Sequence, residues 1–253
     1  MASVVDRPLL VFVLSFVAMM LFARVGSAVG ARFRPIKEDE RQDLNVVLTS
    51  TLTLLGLIIG FSFSMVVSRY DLRKNYEEEE ANAIGTEYVR TNLLPAADAA
   101  QIRVLLLNYL DERLRFYTAR DAREVQQIAA SINRLQSELW LAASNAGSKN
   151  PSMLTAQAVS GMNAVLNSES YTQAAWWNRL PLTAWALMAG IALFCNFLFG
   201  FGSHRPRFLI LLVLPLSLSL AFFLIAEIDS PRDGFIRVRP QNLASLSESL
   251  RSQ

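Results

Sequence analysis

The run Leu44–Ser68, LNVVLTSTLTLLGLIIGFSFSMVVS, decides the fold class. It holds no charged residue and exceeds the ~20 residues that an α-helix needs to cross a bilayer. Three further windows are apolar and nearly free of charge. Pro8–Ala23 lies between Arg7 and Arg24 and extends through Val25, Gly26, Ala28 and Val29 if Arg24 snorkels to the interface. A signal peptide with Gly26 and Ala28 as a weak cleavage pattern is the rival reading of that window. Leu180–Gly202 follows Trp176, Trp177 and Arg179, an aromatic and basic anchor of the kind found at membrane interfaces. Phe208–Ile228 carries Pro215 at mid-span, where a kink is expected. The short loop from Ser203 to Arg207 makes the last two spans an antiparallel hairpin.

The windows predict an all-α membrane protein with four transmembrane helices. An extramembrane helical bundle lies between spans 2 and 3. The expected divisions are 1–68 for the first two spans and their connecting loop, 69–178 for the bundle, 179–229 for the hairpin and 230–253 for a tail. Both termini and the bundle then share one side of the membrane. The basic residues flanking the spans divide almost evenly between the two sides, so the positive-inside rule does not orient the chain.

Composition excludes several functions. A net charge of +2 is too small for a nucleic-acid binder. One cysteine, Cys195, and one histidine, His204, make neither a disulfide framework nor a zinc site. No nucleophile–base pair, phosphate loop or cofactor motif is present, so neither an enzyme nor a cofactor is expected.

The bundle sequence predicts four helices. The first continues straight out of the second span through Glu77, Glu78, Glu79 and Glu80, as one rod. Pro95 opens the second, with Ile102, Leu106, Tyr109, Leu110 and Tyr117 on one face. Val125, Ile128, Ile132, Leu135 and Leu139 alternate by three and four, as a bundle seam does. Gly147, Asn150 and Pro151 break the chain before a weaker face of Met153, Leu154, Met162, Val165 and Leu166. The acidic run is either a solvated helix face or, in a symmetric oligomer, a ring of carboxylates around a pore axis.

Within the second span, Ser50, Thr53, Leu57, Phe61, Ser64 and Ser68 recur at intervals of three and four, which puts them on one helix face. Hydroxyls gain nothing from lipid, so this face meets protein or water. A pore neck closed by Leu57 and Phe61 and wetted by hydroxyls at both ends is one reading. Ordinary helix packing through Gly56 and Gly60 is the other.

GFSFSMVVSRY (Gly60–Tyr70), EEANAIGTEY (Glu79–Tyr88) and EIDSPRDGFIRV (Glu227–Val238) resemble the bestrophin-like family of bacterial membrane proteins, and more distantly the bestrophins, across the four-span layout. Bestrophins are pentameric ion channels whose second span lines the pore, so the resemblance implies a homo-oligomer in the bilayer that passes inorganic ions. It implies a neck at Thr53, Leu57 and Phe61, with Thr53 departing from the bulky apolar pattern. It also implies an inner-membrane location with cytoplasmic termini and bundle. No counterpart of the calcium-binding acidic cluster of animal bestrophins follows the fourth span. The alternative function is a non-conducting scaffold or sensor.

Overall fold

A computed structural model describes residues 7–32, 38–203, 208–232 and 234–252. The loop carrying His204 lies outside them. Among the described residues the chain is helical, without strands: α1 Pro8–Arg32, α2 Glu38–Arg90, α3 Ala96–Thr118, α4 Ala122–Lys149, α5 Met153–Trp177, α6 Leu182–Gly202, α7 Phe208–Asp229 and α8 Gln241–Arg251. Four of the helices are long and apolar enough to cross a membrane. α1 runs unbroken through Gly26 and Ala28, and α7 continues through Pro215. Two compact units result, Met1–Arg69 with Arg179–Arg237, and Tyr70–Asn178 with Val238–Gln253.

In the first unit α1 packs on α6 and α7. Small residues set the α1–α6 approach. A Cβ on Gly200 would lie 1.9 Å from the Ala23 carbonyl oxygen, and one on Gly26 would lie 2.1 Å from that of Phe197. Neither site accepts a side chain without moving a helix backbone, so glycine here lets two helices meet at main-chain distance. Phe12 meets Phe223 edge-on across α1 and α7, and Trp185 meets Phe222 across α6 and α7.

The tail motif folds back on the end of α7. The Glu227 carboxylate accepts from the Phe235 backbone N–H. A Cβ on Gly234 would lie 2.6 Å from the Glu227 carbonyl oxygen, which explains glycine there. Both Asp229 carboxylate oxygens accept from the Leu180 N–H at 3.1 Å, just ahead of the start of α6. Arg69, at the end of the second span, pairs with Asp229 at 3.9 Å. Asn196 is buried and donates back to the Ala192 carbonyl of its own helix at 2.8 Å, so it braces α6.

In the second unit α3, α5 and α8 hydrogen-bond to the distal part of α2, and α4 joins them in one core. Ile102, Leu106, Tyr109, Leu110, Tyr117, Ile128, Ile132, Leu135, Leu139, Met162 and Val165 form its core, with Val125 packed against it. Met153 and Leu154 do not join them and are exposed. Ser152 caps α5 in a reciprocal box with Thr155, which turns Thr155 inward and leaves the two residues between them on the outer side of the first turn. Trp176 is likewise not an interface anchor. It is buried against Phe116 and Tyr117, whereas Trp177 is exposed. The tail adds an element that sequence did not anticipate, α8, whose Leu243 and Leu250 are buried in the same core.

Candidate functional site: the two faces of the second helix

α2 is one helix from Glu38 to Arg90, so a single helical repeat governs both its apolar and its charged parts. Two lines run along it. The buried line reads Leu55, Ser62, Val66, Arg73, Glu77, Glu80, Ile84 and Glu87, at intervals of seven, four and three.

Opposite it, Ser50, Thr53, Leu57, Phe61, Ser64 and Ser68 are all exposed. Leu57 is 54% and Phe61 65% accessible, whereas Leu55 and Val66 on the same helix are 0%. The structure therefore turns the predicted stripe outward, away from the rest of its own unit. A Cβ on Gly56 or Gly60 would meet nothing within 4 Å. Thr53 bends its hydroxyl back to the Thr49 carbonyl at 2.9 Å, which leaves its methyl and the oxygen lone pairs on the surface.

The acidic run divides between the two lines. Glu78 and Glu79 are exposed. Glu77 and Glu80 are buried and take no part in an acidic surface. Glu77 accepts from the Leu243 N–H at 3.0 Å and from Asn242 Nδ2 at 2.7 Å, and so caps α8 at its positive end. Glu80 is held by the Arg113 guanidinium in a two-pronged pair, with Nη2 at 3.0 Å from Oε2, and by Tyr117 and Thr172 hydroxyls at 3.3 and 3.2 Å. Arg113 also reaches Glu169 at 3.6 Å. Burial alone would lower the proton affinity of Arg113, but the adjacent Glu80 carboxylate more than offsets this and raises it, so the guanidinium stays charged. Burial, reinforced by Glu80, pushes the Tyr117 phenol well above its ordinary value, so its proton stays in the hydrogen bond. Arg73 donates to the Ala175 and Asn178 carbonyls at the end of α5. These four charged residues fell outside the sequence reading as core. The spacing of four, three and seven between Arg73, Glu77, Glu80 and Glu87 carried the signal.

A helical membrane protein with four spans, the second projecting a face of hydroxyls and large apolar side chains, is the class that this geometry defines. Residues 17–243 match the bestrophin-like domain, and the chain belongs to the bestrophin-like family. No curated protein matches it. Crystal structures of a bacterial bestrophin homologue from Klebsiella pneumoniae share the fold. Two mutant forms superpose with TM-scores of 0.64 and 0.65 at 13% and 12% identity, covering 94% and 95% of this chain and 98% and 94% of the other. A third structure of the homologue gives 0.64 at 12% identity over 92% of this chain and 96% of that one.

Proposed function

We propose that the chain forms a homo-oligomeric membrane channel, a pentamer, whose α2 helices surround an ion path. The observation that carries this reading is the outward projection of Leu57 and Phe61 from a helix on which Leu55, Ser62 and Val66 are buried. Large apolar side chains ringed around an axis exclude water unless the ring widens, and hydroxyls replace part of an ion's hydration shell. In this reading Thr53, Leu57 and Phe61 make the neck, with the small Thr53 forming its widest layer. Ser50, Ser64 and Ser68 wet the approaches. Glu78 and Glu79 bring negative charge to the continuation of the same helix line. Bestrophins conduct ions through their second span, and membership of the family supports the same use of α2 here. The termini and the bundle are then cytoplasmic and the protein resides in the inner membrane.

Subunit number is the test. A helix face cannot enclose a path by itself, so the detergent-purified protein should weigh as a ring, five chains by this reading. A monomer by mass measurement contradicts it. The second reading, a non-conducting scaffold, draws on Gly56 and Gly60, whose open surface also suits a neighbouring helix.

A further inference from the structure

Of the four charged residues on the buried line of α2, three are matched. Arg73 has the α5 carbonyls, Glu77 the α8 N–H groups and Glu80 the Arg113 guanidinium. Glu87 is the exception. It is 1% accessible, yet neither carboxylate oxygen has a hydrogen-bond partner. The carboxyl occupies the gap left by Gly161 on α5, where a Cβ would lie 1.9 Å from Oε2. A bare carboxylate in such a place lacks what an ionised group needs from its surroundings, whereas a neutral carboxylic acid is tolerated there.

The charged groups nearby give Glu87 no hydrogen bond. Arg90, one turn along α2, has Nη1 2.5 Å from the same Cβ position but makes no hydrogen bond to Glu87. From α5, the stretch Met153–Ser168 brings no titratable side chain, and Glu169 beyond it belongs to Arg113. Arg103 of α3 is engaged by Thr91 and Asn92 and lies over the Tyr88 ring. On α8, Leu246 is the residue that approaches α2 at Gly85, and Arg251 pairs with Asp111.

We infer that Glu87 and Gly161 form a proton-binding site in the extramembrane bundle, whose occupancy controls the packing of α5 against α2. With the proton bound, the neutral carboxyl fits against Gly161. When the proton leaves to water, the carboxylate is drawn towards solvent and Arg90, and the α2–α5 contact loosens. This inference does not depend on ion conduction.

Burial raises the Glu87 carboxyl from 4.5 to about 8, with Arg90 opposing in part. The sign follows from linkage. Between those values the folded chain holds a proton that the unfolded chain has released. The fold therefore loses stability as pH rises through this window, and the loss is complete above about 8. Glu87→Gln mimics the neutral acid at every pH. In the full chain in detergent, wild type and Glu87→Gln should melt together near about pH 5, with the variant increasingly the more stable up to about pH 8 and the gap constant beyond. Infrared difference spectra at neutral pH should show a protonated carboxyl band in wild type that fades as pH passes about 8 and is missing from Glu87→Gln. Gly161→Ala, which displaces the carboxyl, should abolish that titration. A pH-independent gap between wild type and Glu87→Gln, or a band unchanged by Glu87→Gln, would overturn the proposal.

Discussion

On the span half of α2 the buried positions are Leu55, Ser62 and Val66. On the bundle half they are Arg73, Glu77, Glu80, Ile84 and Glu87. The repeat is the same, but the chemistry inverts. Within the membrane half, the side that faces away from the unit carries most of the hydroxyls. Within the bundle half, four charged residues turn inward. The difference follows from what surrounds each half. Charges cannot be carried cheaply inside a bilayer, so the span Leu44–Ser68 holds no charged residue. In the bundle a buried charge is tolerable where other helices bring complementary groups to it, and Glu80 and Arg113 satisfy each other there.

The largest expected effect breaks this inward line. Glu80→Ala strands the Arg113 guanidinium and should cost about 3–5 kcal/mol of stability in thermal or chemical unfolding. Glu79→Ala, one residue earlier and exposed, should leave unfolding unchanged. Equal losses would mean that the two lines of α2 are not distinct. A smaller effect separates the two glycine environments. Gly200→Ala pushes a Cβ into the Ala23 carbonyl and should cost about 1–3 kcal/mol by forcing α1 from α6. Gly60→Ala meets open space and should cost nothing in the same assay, with a helix-propensity gain of up to ~1 kcal/mol. Damage at Gly60 equal to that at Gly200 would show a neighbouring helix packed on that face, the scaffold reading of the stripe.

The four spans were legible because membrane segments exclude charge over long windows, a signal that needs no partner to be recognised. The seams of α3 and α4 were legible from three-four spacing, as Ile128, Ile132, Leu135 and Leu139 show. The buried charges were not. A run of four glutamates reads as a solvated surface until its partners are known, and those partners lie far along the chain. Arg113 is 33 residues from Glu80, and Leu243 is 166 residues from Glu77. α8 stayed hidden for the same reason, since it is a short serine-rich helix anchored by a cap from α2 and by two leucines. Met153 and Leu154 misled in the opposite sense, because apolar residues in a first helical turn reach the core only if the cap leaves them on its inner side. On the candidate site, sequence placed the stripe on one face, and the structure adds that the face is turned away from its own unit.

The central claim is that the exposed line of α2 bounds an ion path closed by Leu57 and Phe61. The most direct measurement is ion flux through reconstituted, folded and oligomeric protein, with wild type compared against Leu57→Ala combined with Phe61→Ala. Removing two large apolar rings lowers a dewetting barrier, so the double variant should conduct more than wild type. Absence of flux in both, from protein shown to be assembled, would contradict the channel and leave the line as a helix-packing seam.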